Sequence, residues 1–231
     1  MENKMNFSDI LASTLHDTKN SLGVLFNNLE DIITKCKDKN CAEYAEFYRL
    51  QYEIKRLNHS LIRLLSLYKA EKSQMSLNID YHSIRDVLEE VTIQHEILLK
   101  SRGIKLTTRC DPALFGAFDR NLIMGVLDNI INNSYRYAKE NVMISAFNEN
   151  GYLVMSVEDD GTGYPAGMIF NKDKIPEFKQ EIDFETGNTG LGLYFSVMVA
   201  GMHKKNDRCG SISIAWDNFS SSINLIASSI F

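Results

Sequence analysis

The chain opens on a seven-residue rhythm. After Leu11, positions Leu15, Thr18, Leu22, Leu25, Leu29 and Ile32 follow at spacings that alternate between four and three, with Thr18 the one polar step. Such a seam predicts a helix that packs along another helix. A second seam follows through Phe47, Leu50, Ile54, Leu57, Leu61, Leu64 and Tyr68, and the polar run Lys37–Asn40 separates the two. Residues 5–71 contain no Pro and a single Gly, so nothing interrupts either helix. The prediction is an antiparallel helical hairpin. Phe26, Ile33, Tyr44, Tyr48 and Leu65 widen its apolar stripe beyond what two helices cover, and pairing of two copies into a four-helix bundle is the natural way to bury it.

Past Glu71–Gln74 the periodicity changes, which places a boundary between residues 1–73 and 74–231. Helices are predicted over Ile84–Ser101, Arg120–Tyr137 and Thr189–Met202. Strands are predicted over Ile104–Cys110, Asn141–Phe147, Tyr152–Glu158, Ser211–Trp216 and Ile223–Phe231. Asn148-Glu149-Asn150-Gly151 reads as the turn of a β-hairpin. Without a regular βαβ repeat, helices mixed with antiparallel strands indicate an α+β sandwich.

Composition narrows the function classes. The 231 residues carry a net charge of -5, and no Lys/Arg cluster supplies a nucleic-acid footprint. The sequence has no apolar run of about 18 residues, and its first residues lack a signal-peptide core, so a cytoplasmic chain with no membrane segment is expected. Cys36, Cys41, Cys110 and Cys209 form no CxxC pair, and buried or surface thiols are the default, although Cys36 and Cys41 lie close enough to meet across a turn.

Three short segments carry chemistry. Asn129 and Asn133 share one face of a predicted helix. An amide oxygen there suits Mg²⁺, and Arg136, one turn on, suits phosphate. The plainer reading is a helix with solvated asparagines. In Val157–Tyr164 a carboxylate at a strand end can accept from an exocyclic amine, and Gly161 and Gly163 let the backbone turn closely. A simple Asp-Gly turn is the alternative. Gly187-Asn188-Thr189-Gly190-Leu191-Gly192-Leu193 leads into a helix, where unhindered N–H groups and the dipole favour phosphate. The polar stretch between Gly163 and Gly187, with Lys172, Lys174 and Lys179, is expected to be a lid.

In this order the three segments resemble the nucleotide boxes of bacterial sensor histidine kinases, in the superfamily that also holds gyrase and the Hsp90 chaperone. Asn129–Arg136 resembles the N box (NLLxNAxK), Asp159–Gly163 the G1 box and Gly187–Leu193 the G2 box (GTGLGL). His203 followed by Gly210 resembles the usual H-G-G ending with an insertion. The resemblance implies an ATP-binding sandwich of the Bergerat type, with Asn133 as chief Mg²⁺ ligand and Asn129 in support. Arg136 would touch phosphate and Asp159 would hold the adenine amine. Tyr137, Gly161, Gly163, Gly187, Thr189, Gly190, Leu191, Gly192 and Leu193 would line the nucleotide. In gyrase-like relatives a Glu four residues before the Mg-binding Asn activates water. Asn129 is an amide and cannot serve as a base, so kinase chemistry is expected over hydrolysis.

His16-Asp17-Thr18-Lys19-Asn20-Ser21-Leu22 resembles the H box. His16 would accept the γ-phosphate, Asp17 would polarise its imidazole, and Asn20, one turn on, would orient water in a phosphatase reaction. The implied partners are a second copy, a response regulator receiver domain, and a sensor domain or separate sensor protein. Ser21 stands where the box usually has Pro, and Glu177-Phe178 is the nearest match to the lid motif. His59, His82 and His95 are read as ordinary surface residues. The rivals are a non-catalytic phosphorelay protein and an ATP-regulated phosphatase or scaffold on the same fold.

Overall fold

A computed structural model describes residues 7–39, 44–71, 76–163, 191–205, 208–216 and 221–228. Packing divides the chain into two compact units, residues 1–75 and 76–231.

The first unit pairs α1 (Phe7–Lys39) with α2 (Tyr44–Glu71). The Lys55 ammonium sits 5.2 Å from the centre of the Phe26 ring, and the two residues lie at similar distances from the turn, so the helices run antiparallel. Leu15, Leu29 and Ile33 are buried, and Leu22, Phe26, Ile54, Leu61 and Leu65 are half-buried. The seam expected to be continuous is split in two. Leu25 and Ile32 on α1 are 53% and 42% exposed, and Leu50, Leu57 and Leu64 on α2 are 50%, 52% and 36% exposed. The cause is the mismatch between a heptad and the 3.6-residue turn, which carries Phe26 and Ile33 into the interior in their place. α1 is unbroken through Ser21, whose hydroxyl donates to the Asp17 carbonyl at 3.0 Å. A Ser keeps the backbone donor that Pro removes.

In the second unit β1 (Asp80–Ser83) pairs antiparallel with β3 (Phe115–Phe118) as a short ribbon. A five-stranded sheet has the order β2 (Lys105–Cys110), β4 (Asn141–Glu149), β5 (Tyr152–Asp159), β9 (Ser221–Ser228) and β8 (Ser211–Trp216). α3 (Ile84–Ser101), α4 (Arg120–Tyr137) and α5 (Leu191–Met202) complete the fold, with β6 (Lys204–Lys205) and β7 (Arg208–Cys209) forming a small ribbon. The expected α+β class is therefore observed. Alternation sets the core: Ile144, Val157, Ile223 and Ile214 lie side by side across four strands and are all buried. α3 packs on β2, α4 on β5, and α5 on β8 and β9.

Helices α3 and α4 begin where capping chemistry directs. Ser83 Oγ accepts from Asp86 N at 3.3 Å, and Asp119 Oδ1 accepts from Leu122 N at 3.1 Å. The β4–β5 turn is made by Asn150 and Gly151, both at positive φ (52° and 78°). That pair of conformations matches the right-handed twist of the strands it joins.

Two expectations are corrected. β2 and β4 pair in parallel, not antiparallel, with α4 on the path between them. A parallel pair requires such a crossover. His95 is no surface residue: it lies one turn from both Val91 and Leu99 on the inner face of α3, 6% exposed, with Nε2 2.8 Å from Asp128 Oδ1 of α4. His82 is half-buried, its ring 5.1 Å from that of Phe118.

Candidate functional site

The N-box helix α4 is fixed at both ends. At its start, Asp119 receives the backbone N–H groups of Leu122 and Asn78, the latter at 2.9 Å on Oδ2, while Asp119 N donates to His203 Nε2 at 3.0 Å. His203 Nδ1–H in turn donates to Val199 O at 2.7 Å, which assigns the proton to Nδ1 and leaves Nε2 as the acceptor. Burial drives this imidazole below its ordinary value, against the Val199 carbonyl and the Asp119 charge, which favour the protonated form. At the other end Arg102 donates to the Tyr135 carbonyl, reaches the Arg136 carbonyl at 3.4 Å, and stacks over the Tyr135 ring at 5.1 Å. A cation there complements the helix C-terminus.

Asn129 is buried and faces α5. Its Nδ2 donates to Ser196 Oγ at 3.3 Å, and Ser196 Oγ donates to Gly192 O at 2.9 Å. A Cβ at Gly192 would fall 2.0 Å from Asn129 Oδ1, so only Gly lets the start of α5 approach this amide. The Asn129 and Gly192 regions, predicted separately, thus come into contact. Asn133, one turn further, is half-buried. Leu191 and Leu193 are half-buried at the head of α5, while Arg136 and Tyr137 are exposed.

Asp159 closes the β5 end of the site. It is buried, with Oδ2 accepting from Ser134 Oγ at 2.9 Å and Oδ1 from Gly161 N at 3.0 Å. A Cβ at Gly161 would meet the Tyr137 carbonyl at 2.6 Å and Asp159 Oδ1 at 2.7 Å, so this glycine seats the turn against the end of α4. Gly163 has φ 79°, a conformation that suits glycine. Asp160 points away and receives the N–H groups of Lys139, Glu140 and Asn141. Burial alone would raise its carboxyl, but these donors outweigh burial and hold it below its ordinary value of 3.8.

Ser134 escaped the sequence reading. It occupies the Ala position of the N box and sits one turn from Ile130 on the inner face, and that departure was the signal available. Gly187, Thr189 and Gly190, the lid candidates Lys172, Lys174, Lys179 and Glu177-Phe178, and Cys41 lie outside the described residues. The insertion between His203 and Gly210 is a side excursion: Gly210 N donates to His203 O at 3.0 Å, so its ends meet, and Arg208 stacks over Tyr152 at 5.4 Å.

His16 belongs to the first unit and stands 68% exposed on α1. Its Nδ1 is 3.3 Å from Asn20 Nδ2 and 3.8 Å from Asp17 Oδ1, so the three predicted residues form one exposed cluster.

Residues 118–220 match the family model described as histidine kinase-, DNA gyrase B-, and HSP90-like ATPase. Over those residues the chain is similar to the ATPase domains of that superfamily. Sensor protein PhoQ of Escherichia coli (strain K12) is 22% identical over 183 residues, 79% of this chain and 36% of that protein. Histidine kinase AdeS of Acinetobacter baumannii aligns at TM-score 0.60 and 19% identity, covering 89% of this chain and 95% of that one. Full-length ShkA, solved in complex with AMPPNP, aligns at TM-score 0.62 and 15% identity, covering 94% of this chain and 46% of that one. The relatives and solved structures that this chain resembles are named as histidine kinases or sensor proteins. It spans 14% to 36% of the length of the first curated relatives it matches. None of its helices, among the described residues, is long and apolar enough to cross a membrane.

Proposed function

We propose that the second unit binds ATP and that its γ-phosphate passes to His16, and from there to an aspartate of a separate response regulator. The observation that carries the reading is the contact of Asn129 with Gly192 beside the pinned Asp159 carboxylate. Through α4 it links an amide-bearing helix face, the head of α5 and, by way of Ser134, a buried acceptor.

Each residue has a task in this reading. Asp159 accepts from the exocyclic amine of adenine. The N–H groups at the head of α5, left without intrahelical partners, receive phosphate oxygens, and exposed Arg136 adds a cation. The half-buried amide of Asn133 supplies the hard oxygen that Mg²⁺ prefers, with Asn129 behind it, and the ion would neutralise phosphate charge. On His16, Asp17 lies 3.8 Å from Nδ1 and would close on Nδ1–H in place of the Asn20 amide as the Nε2 lone pair attacks. An N–P bond forms, the bond from the γ-phosphorus to the ADP oxygen breaks, and the Nδ1 proton passes to the Asp17 carboxylate and on to solvent. Asn20, beside the same ring, orients a water that hydrolyses the aspartyl phosphate of the regulator to aspartate and inorganic phosphate. The exposed Leu25, Ile32, Leu50, Leu57 and Leu64 supply the face on which a second copy completes a four-helix bundle.

Incubation with γ-labelled ATP and Mg²⁺ tests the reading. Label that is acid-labile and base-stable, absent in His16→Gln and in Asn133→Ala with the fold intact, is the expected result. Labelling that survives His16→Gln refutes the acceptor, and a protein that binds no ATP refutes the whole.

A further inference from the structure

Ser134 and Asp159 come from different elements, α4 and β5, and meet at 2.9 Å in the interior of the second unit. A Ser within a helix usually donates to the carbonyl four residues back. Here that carbonyl, Ile130 O, is 3.4 Å away, while Asp159 Oδ2 is closer and ionic. The hydroxyl has one proton, and the charge-assisted bond takes it. Gly161 N holds the other oxygen, Oδ1, at 3.0 Å. Two donors on two different oxygens fix rotation about the Cβ–Cγ bond, the softest torsion of an Asp side chain. Ser134 itself is 1% exposed and cannot reach a ligand.

We propose that Ser134 is a positioning residue that sets the Asp159 carboxylate for the exocyclic amine of a purine, and thereby selects a 6-amino purine nucleotide over one lacking that amine. The inference rests on the reading of Asp159 as the amine acceptor. A carboxylate oxygen has two lone-pair directions, and the hydroxyl on Oδ2 determines how that pair is turned. The Ala of the resembled box provides no such bond.

The test compares two ligands, ATP and the triphosphate of purine riboside, which has hydrogen in place of the 6-amino group. Affinities for both are measured by calorimetry on the full chain and on Ser134→Ala, with melting curves as a control. Ala is the residue the resembled box carries and a good helix former, so the variant is expected to fold. The expected result is an approximately tenfold loss of ATP affinity, the order of one hydrogen bond to a charged group, with the analogue unchanged within about twofold. Equal losses for both ligands reduce Ser134 to a packing role and overturn the proposal, as does no loss for either. A parent chain that binds both ligands equally removes the amine-acceptor role of Asp159, and one that binds neither removes the ATP reading altogether.

Discussion

Gly192 and Asn129 occupy adjoining space so tightly that a single added carbon at Gly192 would overlap the Asn129 amide, 2.0 Å from Oδ1 and 2.7 Å from Cγ. Gly192→Ala must therefore displace either α5 or the asparagine. Overpacking of this kind costs about 1–3 kcal/mol. Loss of most nucleotide affinity together with a lowered melting temperature is expected, read by calorimetry and thermal denaturation. Gly23→Ala is the counterpart. Nothing lies within 4 Å of its Cβ position, and it sits inside α1. That change should raise stability by about 0.5–1 kcal/mol through helix propensity.

Leu57 lies in the exposed heptad Leu50, Leu57 and Leu64 and is 52% exposed in the single chain. Leu57→Lys should weaken self-association while leaving the helical content of the hairpin in place. Sedimentation velocity and circular dichroism, measured together, separate the two effects. A variant that stays dimeric at micromolar concentration removes this stripe as the interface.

His203 makes stability depend on pH. Burial holds its folded-state value below the ordinary 6.5, so between the two values the unfolded chain binds the extra proton. Stability is therefore fully present above about 6.5 and falls as the pH drops through the folded-state value. Protonation would also place a second N–H opposite Asp119 N. Urea denaturation from pH 7.5 to 5 should show this loss, and His203→Gln should flatten the slope. Asp160, held below 3.8, contributes in a lower window: its stabilisation is present above 3.8 and lost below it, outside this range.

The His95–Asp128 pair joins α3 to α4 through the interior. Removing either partner strands a buried polar group, at a cost of about 3 kcal/mol. His95→Leu and Asp128→Leu should each destabilise strongly in urea, and the double variant should cost clearly less than their sum. An additive cycle would show that the two side chains do not support one another.

Much of this was legible in the sequence where local physics decides. Periodicity placed α3 and α4, and the Asn-Gly turn placed the β4–β5 hairpin. The nucleotide segments were visible because all three occur together and in one order, although each alone has a plainer reading. What escaped was non-local. The four-residue strands β1 and β3 carry too little alternation to stand out. The parallel register of β2 depends on how the chain crosses over, not on its own residues. His95 looked solvent-facing because polarity was read without its partner Asp128, 33 residues away in sequence. Ser134 escaped for the same reason, since its partner Asp159 is 25 residues away on β5.

The parallel pairing of β2 with β4 also has a consequence in time. During synthesis β2 emerges well before β4, and all of β3 and α4 must follow before its neighbour exists. Any chain halted before residue 141 leaves that strand with nothing to pair with. Closing so long a loop is slow compared with forming the adjacent β4–β5 hairpin. The β2 edge is therefore expected to join the sheet late, after the helix that carries Asn129, Asn133 and Ser134 has already formed.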